Sequence, residues 1–108
     1  MSIEGLNSIL HPPTRLQIAA LLAKVTDAEF AKLKEVTAVS DSVMSKHLSA
    51  LVEAGYVTLR KDARDGRQRT WASLTRSGRA AFAAHVKALQ AIVAGEIEMS
   101  SASGIAVS

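Results

Sequence analysis

The stretch SDSVMSKHLSALVEAGYV, residues 40–57, decides the fold. Read as a helix from about Asp41 to Ala54, it separates into two faces. Met44, Leu48, Leu51 and Val52 recur at helical spacing and form an apolar stripe for a core. Ser42, Ser45, Lys46, Ser49 and Glu53 fall on the other side. Apart from Glu53 these are small, or long and cationic. Ser40 is placed to cap the first turn, and Gly55 to end the helix in the left-handed conformation that residues with a Cβ disfavour. An ordinary surface helix carries Glu–Lys pairs on its outer face. Hydroxyls and a lysine near an N-terminus, where dipole and free N–H groups favour an anion, suit a helix slim enough to enter a DNA major groove.

The residues that follow change period from 3.6 to 2. Val57 and Leu59 alternate with Thr58 and Arg60, and Thr70, Ala72 and Leu74 alternate with Arg69, Trp71 and Ser73. Between them Asp65-Gly66 is a hairpin-turn signal. A two-stranded hairpin is marginal alone, so its apolar side is expected on the helical core, with Trp71 packed at its base.

This run of Val43, Met44, Ser45, Lys46, His47, Leu48, Leu51, Glu53, Ala54, Gly55, Tyr56 and Val57 resembles the recognition helix of winged-helix bacterial transcription regulators of the MarR and ArsR type. The basic hairpin and LTRSGRAAF, residues 74–82, match the same group, nearest its compact winged-helix DNA-binding branch. The resemblance covers roughly residues 10–93 and is most specific in the middle third. It implies a winged helix-turn-helix, mainly α with a small β-hairpin (α+β), and a long C-terminal dimerisation helix.

Upstream, Thr26 followed by Glu29 is a capping-box pattern that starts a helix at Asp27 or Ala28. Phe30, Leu33 and Val36 form its apolar stripe, with Lys32, Lys34 and Glu35 outward. Thr37-Ala38-Val39 then makes the turn into the reading helix, with Ala38 where glycine often stands and Val39 plugging the core. Lys24-Val25-Thr26 reads as a stub strand. A helix from the prolines at 12 and 13 to about Ala23 is apolar nearly all round, through Leu16, Ile18, Ala19, Ala20, Leu21 and Leu22. Ile3, Leu6, Ile9 and Leu10 give a short amphipathic helical segment over 3–10, with His11 a cap or spacer.

Downstream, Thr75 caps a helix from about Arg76 that ends between Ala94 and Met99. Phe82, Val86, Leu89 and Val93 form one stripe, while Ala80, Ala84, Ala88, Ala91 and Ile92 leave the rest small. So uncharged a helix needs cover beyond its own domain, and the simplest cover is a second subunit. Phe82, Val86, Leu89, Ile92 and Val93 are the expected dimer contacts. The tail SSASGIAVS reads as irregular.

The 108 residues are expected to form one domain: helix-turn-helix over about 27–54, wing over about 56–74, dimer helix over about 76–97. No apolar run is long enough to span a bilayer and the N-terminus lacks a signal pattern, so a cytoplasmic location is expected. Absence of cysteine excludes disulfides, thiolate metal sites and cysteine nucleophiles. Net charge is +3, unevenly placed: from Arg60 to Arg79 seven basic residues face Asp62 and Asp65, a local +5, leaving −2 elsewhere.

Function follows as an expectation. Ser42, Ser45, Lys46 and Ser49 would read bases, and Arg60, Arg64, Arg67 and Arg69 would hold the DNA backbone or enter the minor groove. The partner is double-stranded DNA, bound by a homodimer on a pseudo-palindromic operator as a repressor, with no membrane and no cofactor. The alternative is a winged-helix protein–protein module without specific DNA binding, which does not account for the arginines. An enzyme lacks a motif: there is no phosphate-cradling glycine loop and no nucleophile elbow. Ser45, Lys46 and His47 diverge along the helix and cannot form a triad. His11, His47 and His85 fall on separate helices, which speaks against a metal site, although an intersubunit set of His85 with Glu96 or Glu98 is conceivable. An unidentified small-molecule effector stays open.

Overall fold

The computed structural model describes residues 4–95, in the order α1 (Pro13–Ala23), β1 (Ala28–Glu29), α2 (Phe30–Thr37), α3 (Asp41–Glu53), β2 (Val57–Arg64), β3 (Arg67–Leu74) and α4 (Arg76–Val93). The strands form an antiparallel sheet in the order β1-β3-β2. This is the expected α+β winged helix, with one strand more in its sheet than the hairpin.

α3 forms as its sequence requires. Ser40 Oγ accepts from the Val43 N–H at 3.3 Å. Gly55 turns at φ 82°, and the N–H groups of Gly55 and Tyr56 return to the carbonyls of Val52 and Leu51. Met44, Leu48 and Leu51 are buried against Ile18, Ala19 and Leu22 of α1, Leu33 of α2, Val57 of β2, and Ala72 and Leu74 of β3. Val39 packs on this cluster from the turn, as expected. Ala38 takes the left-handed conformation, φ 58° and ψ 37°, that glycine ordinarily supplies.

Several boundaries differ from expectation. Residues 4–10 form turns and no helix. Asn7 is the cause: its Oδ1 accepts from the N–H groups of Ile9 and Leu10, a local turn that competes with helix. Leu10 is fully buried all the same. The stub strand lies at Ala28–Glu29 and not at 24–26, because Ala28 pairs with Ala72 and Glu29 with Trp71. That pairing also overrides the capping box: α2 starts at Phe30, with Glu29 as an N-cap whose side chain makes no capping bond. In α1 only Ile18, Ala19 and Leu22 are fully buried, so its cover is one-sided.

Val52 and Leu59 were expected inward but are 40% and 45% exposed. Val52 sits about 80° around α3 from Met44, on the edge of the apolar stripe. Leu59 lies on β2, an edge strand of the sheet, so it stays at the rim while its ladder partner Ala72 on the central strand β3 is buried. Val36 is exposed too.

α4 starts on a capped turn, Thr75 Oγ1 accepting from the Gly78 N–H at 2.9 Å. The same hydroxyl donates to the Gly55 carbonyl at 2.7 Å, and the Thr75 N–H to the Tyr56 carbonyl at 2.9 Å. Gly78 presses on the turn before β2 so closely that a Cβ there would stand 2.1 Å from the Tyr56 oxygen. The inward face of α4 is Gly78, His85 and Ala88, with Ala81 and Phe82 packed on the core. Of the stripe expected to meet a second subunit, Val86, Leu89 and Ile92 are half-buried and Val93 is 87% exposed. The helix ends at Val93, with Ala94 as C-cap and Gly95 at φ 79°. Glu96, Glu98 and the expected irregular tail lie outside the described residues.

Candidate nucleic-acid interface

α3 presents Ser42, Ser45, Lys46, Ser49 and Glu53 together on its exposed side. Ser42 Oγ lies 3.3 Å from Ser40 Oγ. The helix start already carries an anion of its own, since Asp41 occupies the first turn and pairs with Lys34 of α2. That pair ties the two helices across the turn. On the wing side, Ser49, Val52 and Glu53 line an open notch with Leu59 of β2. On the other side, Arg15 of α1 donates through Nε to His47 Nδ1 at 3.1 Å. Burial, then the charges of Arg15 and Lys46, lower the His47 pKa from its ordinary value.

The wing is a regular hairpin from Val57↔Leu74 to Arg64↔Arg67, closed by Asp65 at φ 52° and Gly66 at φ 75°. Two positive φ values in succession are what a tight right-twisted hairpin needs, and Asp-Gly accepts them readily. Arg67 is exposed beside the turn, as is Lys61 further down β2.

Arg60 and Arg69 are engaged within the chain. Arg60 donates to Asp27 Oδ2 at 2.9 Å and to Asp62 Oδ2 at 3.2 Å, and its guanidinium carbon lies 5.8 Å from the centre of the Trp71 ring. The hydrogen bond it donates to Asp27 is the chief reason its pKa is raised. Arg69 meets Glu29 Oε1 at 3.4 Å. The carboxylates of 27 and 29 went unrecognised in the sequence because a two-residue strand has no periodicity to announce it. Trp71 does sit half-buried at the wing base, though its Nε1 is buried without a partner. Arg79 is a structural tie as well, donating to the carbonyls of Ala23 and Val25 at 3.3 and 3.0 Å.

His85 and His11, expected apart, have ring centres 5.5 Å from one another in an edge-on arrangement. His85 is fully buried, accepts the Asn7 backbone N–H at Nδ1 over 2.9 Å, and leaves Nε2 without a partner. Burial and then His11 lower its pKa. Asn7 also donates through Nδ2 to the Tyr56 hydroxyl at 2.8 Å, joining the N-terminal segment, α4 and the wing base. Among the described residues no group of three or more His, Cys, Asp or Glu could hold a metal ion, and no helix is long and apolar enough to cross a membrane.

Residues 14–93 match the family model described as winged helix DNA-binding domain. An uncharacterized protein of Methanocaldococcus jannaschii is 36% identical over 74 residues, covering 68% of this chain and 80% of that protein. The chain is also similar to a transcriptional regulator homologue protein from Pyrococcus horikoshii. That likeness has a TM-score of 0.77 and 27% identity, over 82% of this chain and 87% of the other. A MarR mutant from E. coli, solved in complex with operator DNA, shares the fold at a TM-score of 0.63 and 20% identity. It is covered over 56% of its length by 74% of this chain.

Proposed function

The chain belongs to the winged helix DNA-binding domain family, and from that we propose that it is a sequence-specific transcriptional regulator. It acts as a repressor, a homodimer on a pseudo-palindromic operator. The observation that carries this reading is the exposed side of α3, where Ser42, Ser45, Lys46 and Ser49 project together beside the hairpin. Hydroxyl and ammonium groups there discriminate base edges by about 1–3 kcal/mol for a well-formed contact. Arg64 and Arg67, on the two strands flanking the hairpin turn, hold phosphates or enter the minor groove, contacts that position the protein and carry little sequence information. Arg60 and Arg69 join them only if they exchange their carboxylates for phosphate. The half-buried residues Phe82, Val86, Leu89 and Ile92, with exposed Val93, supply the subunit contact. Two recognition helices then lie about 34 Å apart, one turn of DNA.

One observation favours the rival reading, a protein–protein module. Internal pairing of Arg60 and Arg69 reduces the wing charge that a duplex would meet. Selection of bound sequences from a random duplex pool decides between them. Enrichment of a pseudo-palindrome with half-sites one turn apart supports the regulator. Failure to enrich any sequence, together with salt-independent retention of duplex, removes it.

A further inference from the structure

α3 has two flanks, and only one is served by the wing. Counting 100° per residue from Met44, Val52 lies about 80° to one side and faces Leu59 across the notch. His47 lies about 60° to the other side, where Arg15 of α1 reaches it. A helix seated in a major groove has a phosphate strand on either hand. The wing can hold one of them, and the second needs a donor on the α1 side.

We infer that Arg15 and His47 form that donor, a clasp for a backbone phosphate on the flank of α3 away from the wing. The inference rests on the DNA-binding reading above. Arg15 Nε donates to Nδ1, so the proton of the neutral ring sits on Nε2. Nε2 meets no hydrogen-bond partner among the described residues, and it is not among the buried side-chain atoms left without one. Arg15 itself donates to the Ile9 carbonyl at 3.4 Å, and no carboxylate among the described residues lies within ion-pair distance of it. The contrast with Arg60 and Arg69 is chemical. Those guanidiniums are each matched to an acid of the chain, whereas Arg15 is matched to a neutral ring beside Lys46. A half-buried guanidinium held against an imidazole gains little until an anion arrives, and a phosphate suits its planar fork. Arg15 thereby fixes the tautomer and orientation of His47, while both present N–H groups to one oxygen-rich ligand.

The test uses the full chain and the duplex enriched from the pool, alongside a scrambled duplex, across a salt series. Glutamine approximates the Nε2 donor of histidine and asparagine the Nδ1 acceptor. His47→Gln should keep affinity within about threefold of wild type, while His47→Asn and Arg15→Gln should lose about tenfold on both duplexes. Arg15→Gln should also flatten log affinity against log salt by about one unit per subunit. Ring nitrogen shifts of His47 in the free protein should report the Nε2–H tautomer. The clasp is overturned if His47→Asn and Arg15→Gln bind as wild type while melting lower, which makes the pair only a tie between α1 and α3. An Nδ1–H tautomer overturns it equally. A wild type with no salt-dependent affinity for any duplex is a separate result, and it removes the DNA-binding reading along with the clasp.

Discussion

Arg60 stands directly opposite Trp71 in the β2–β3 ladder, its guanidinium drawn over the indole by Asp27 and Asp62. The most basic segment of the chain therefore contains a cation already matched inside the protein. An exposed ion pair of this kind adds little to stability, but it competes with any phosphate for the same guanidinium. Asp27→Asn weakens the competition. Affinity for operator and scrambled duplexes should rise together by a few-fold, and the salt dependence should steepen by up to about 0.9 unit per subunit. Unchanged affinity and slope would mean that Arg60 never meets DNA.

Ala38 holds a left-handed backbone in the turn between α2 and α3. A residue with a Cβ bears about 1–2 kcal/mol there, and glycine returns about 0.4–1 kcal/mol of that through its freer unfolded chain. Ala38→Gly should raise the thermal midpoint by a few degrees with DNA binding intact. A lower midpoint would show that the Ala38 methyl packs more usefully than its exposure implies.

Leu89 and Val93 lie on the half of α4 that leaves the core. Placing a charge in an apolar subunit contact costs several kcal/mol. Leu89→Glu should therefore yield a folded monomer by sedimentation, with operator affinity greatly reduced. Gln90→Glu on the exposed side should change neither. A wild type that is already monomeric at micromolar concentration would refute the dimer.

His85 makes a pH prediction. Its pKa is lowered in the fold by burial and by His11, and the groups around it are Asn7, His11 and, through Asn7, the Tyr56 hydroxyl. The unfolded chain thus binds the proton more readily. Stability is complete above the ordinary histidine value near 6.5 and is lost as pH falls below it. His47 is lowered too and contributes with the same sign, so the difference between wild type and His85→Asn isolates His85. The denaturation midpoint of wild type should fall more steeply between about pH 7.5 and about pH 5. Parallel curves for the two proteins would show that His85 stays neutral throughout.

Helix α3, the hairpin and both N-caps could be read from residues 40–82, because caps, periodicity and Asp-Gly turns are local signals. What could not be read depends on distant partners. Glu29 looks like the end of a capping box until Trp71 claims it for the sheet. Leu6 and Leu10 look helical until the Asn7 side chain takes the backbone N–H groups. The inward face of α4 was not legible because a glycine and a histidine do not advertise burial. Gly78 is inside for its lack of a side chain, and His85 because a backbone donor waits for it. The candidate site shows the same division: the exposure of the α3 serines follows from local periodicity, whereas the carboxylates over Arg60 and Arg69 and the Arg15–His47 bond exist only through the assembled helices and sheet.

The contact at Gly78 has a geometric corollary. Thr75 grips the carbonyls of Gly55 and Tyr56, and Gly78 lies flush against the latter, so the bend from hairpin to α4 is a main-chain elbow braced by one short side chain, the Thr75 hydroxyl. In a dimer built on α4, the distance between the two reading helices would be a fixed gauge. Surface substitutions in the wing would tune how tightly a site is held without altering which half-site spacing fits. Changing that spacing would require re-angling α4 beyond Ala88, where the helix leaves the body of the protein.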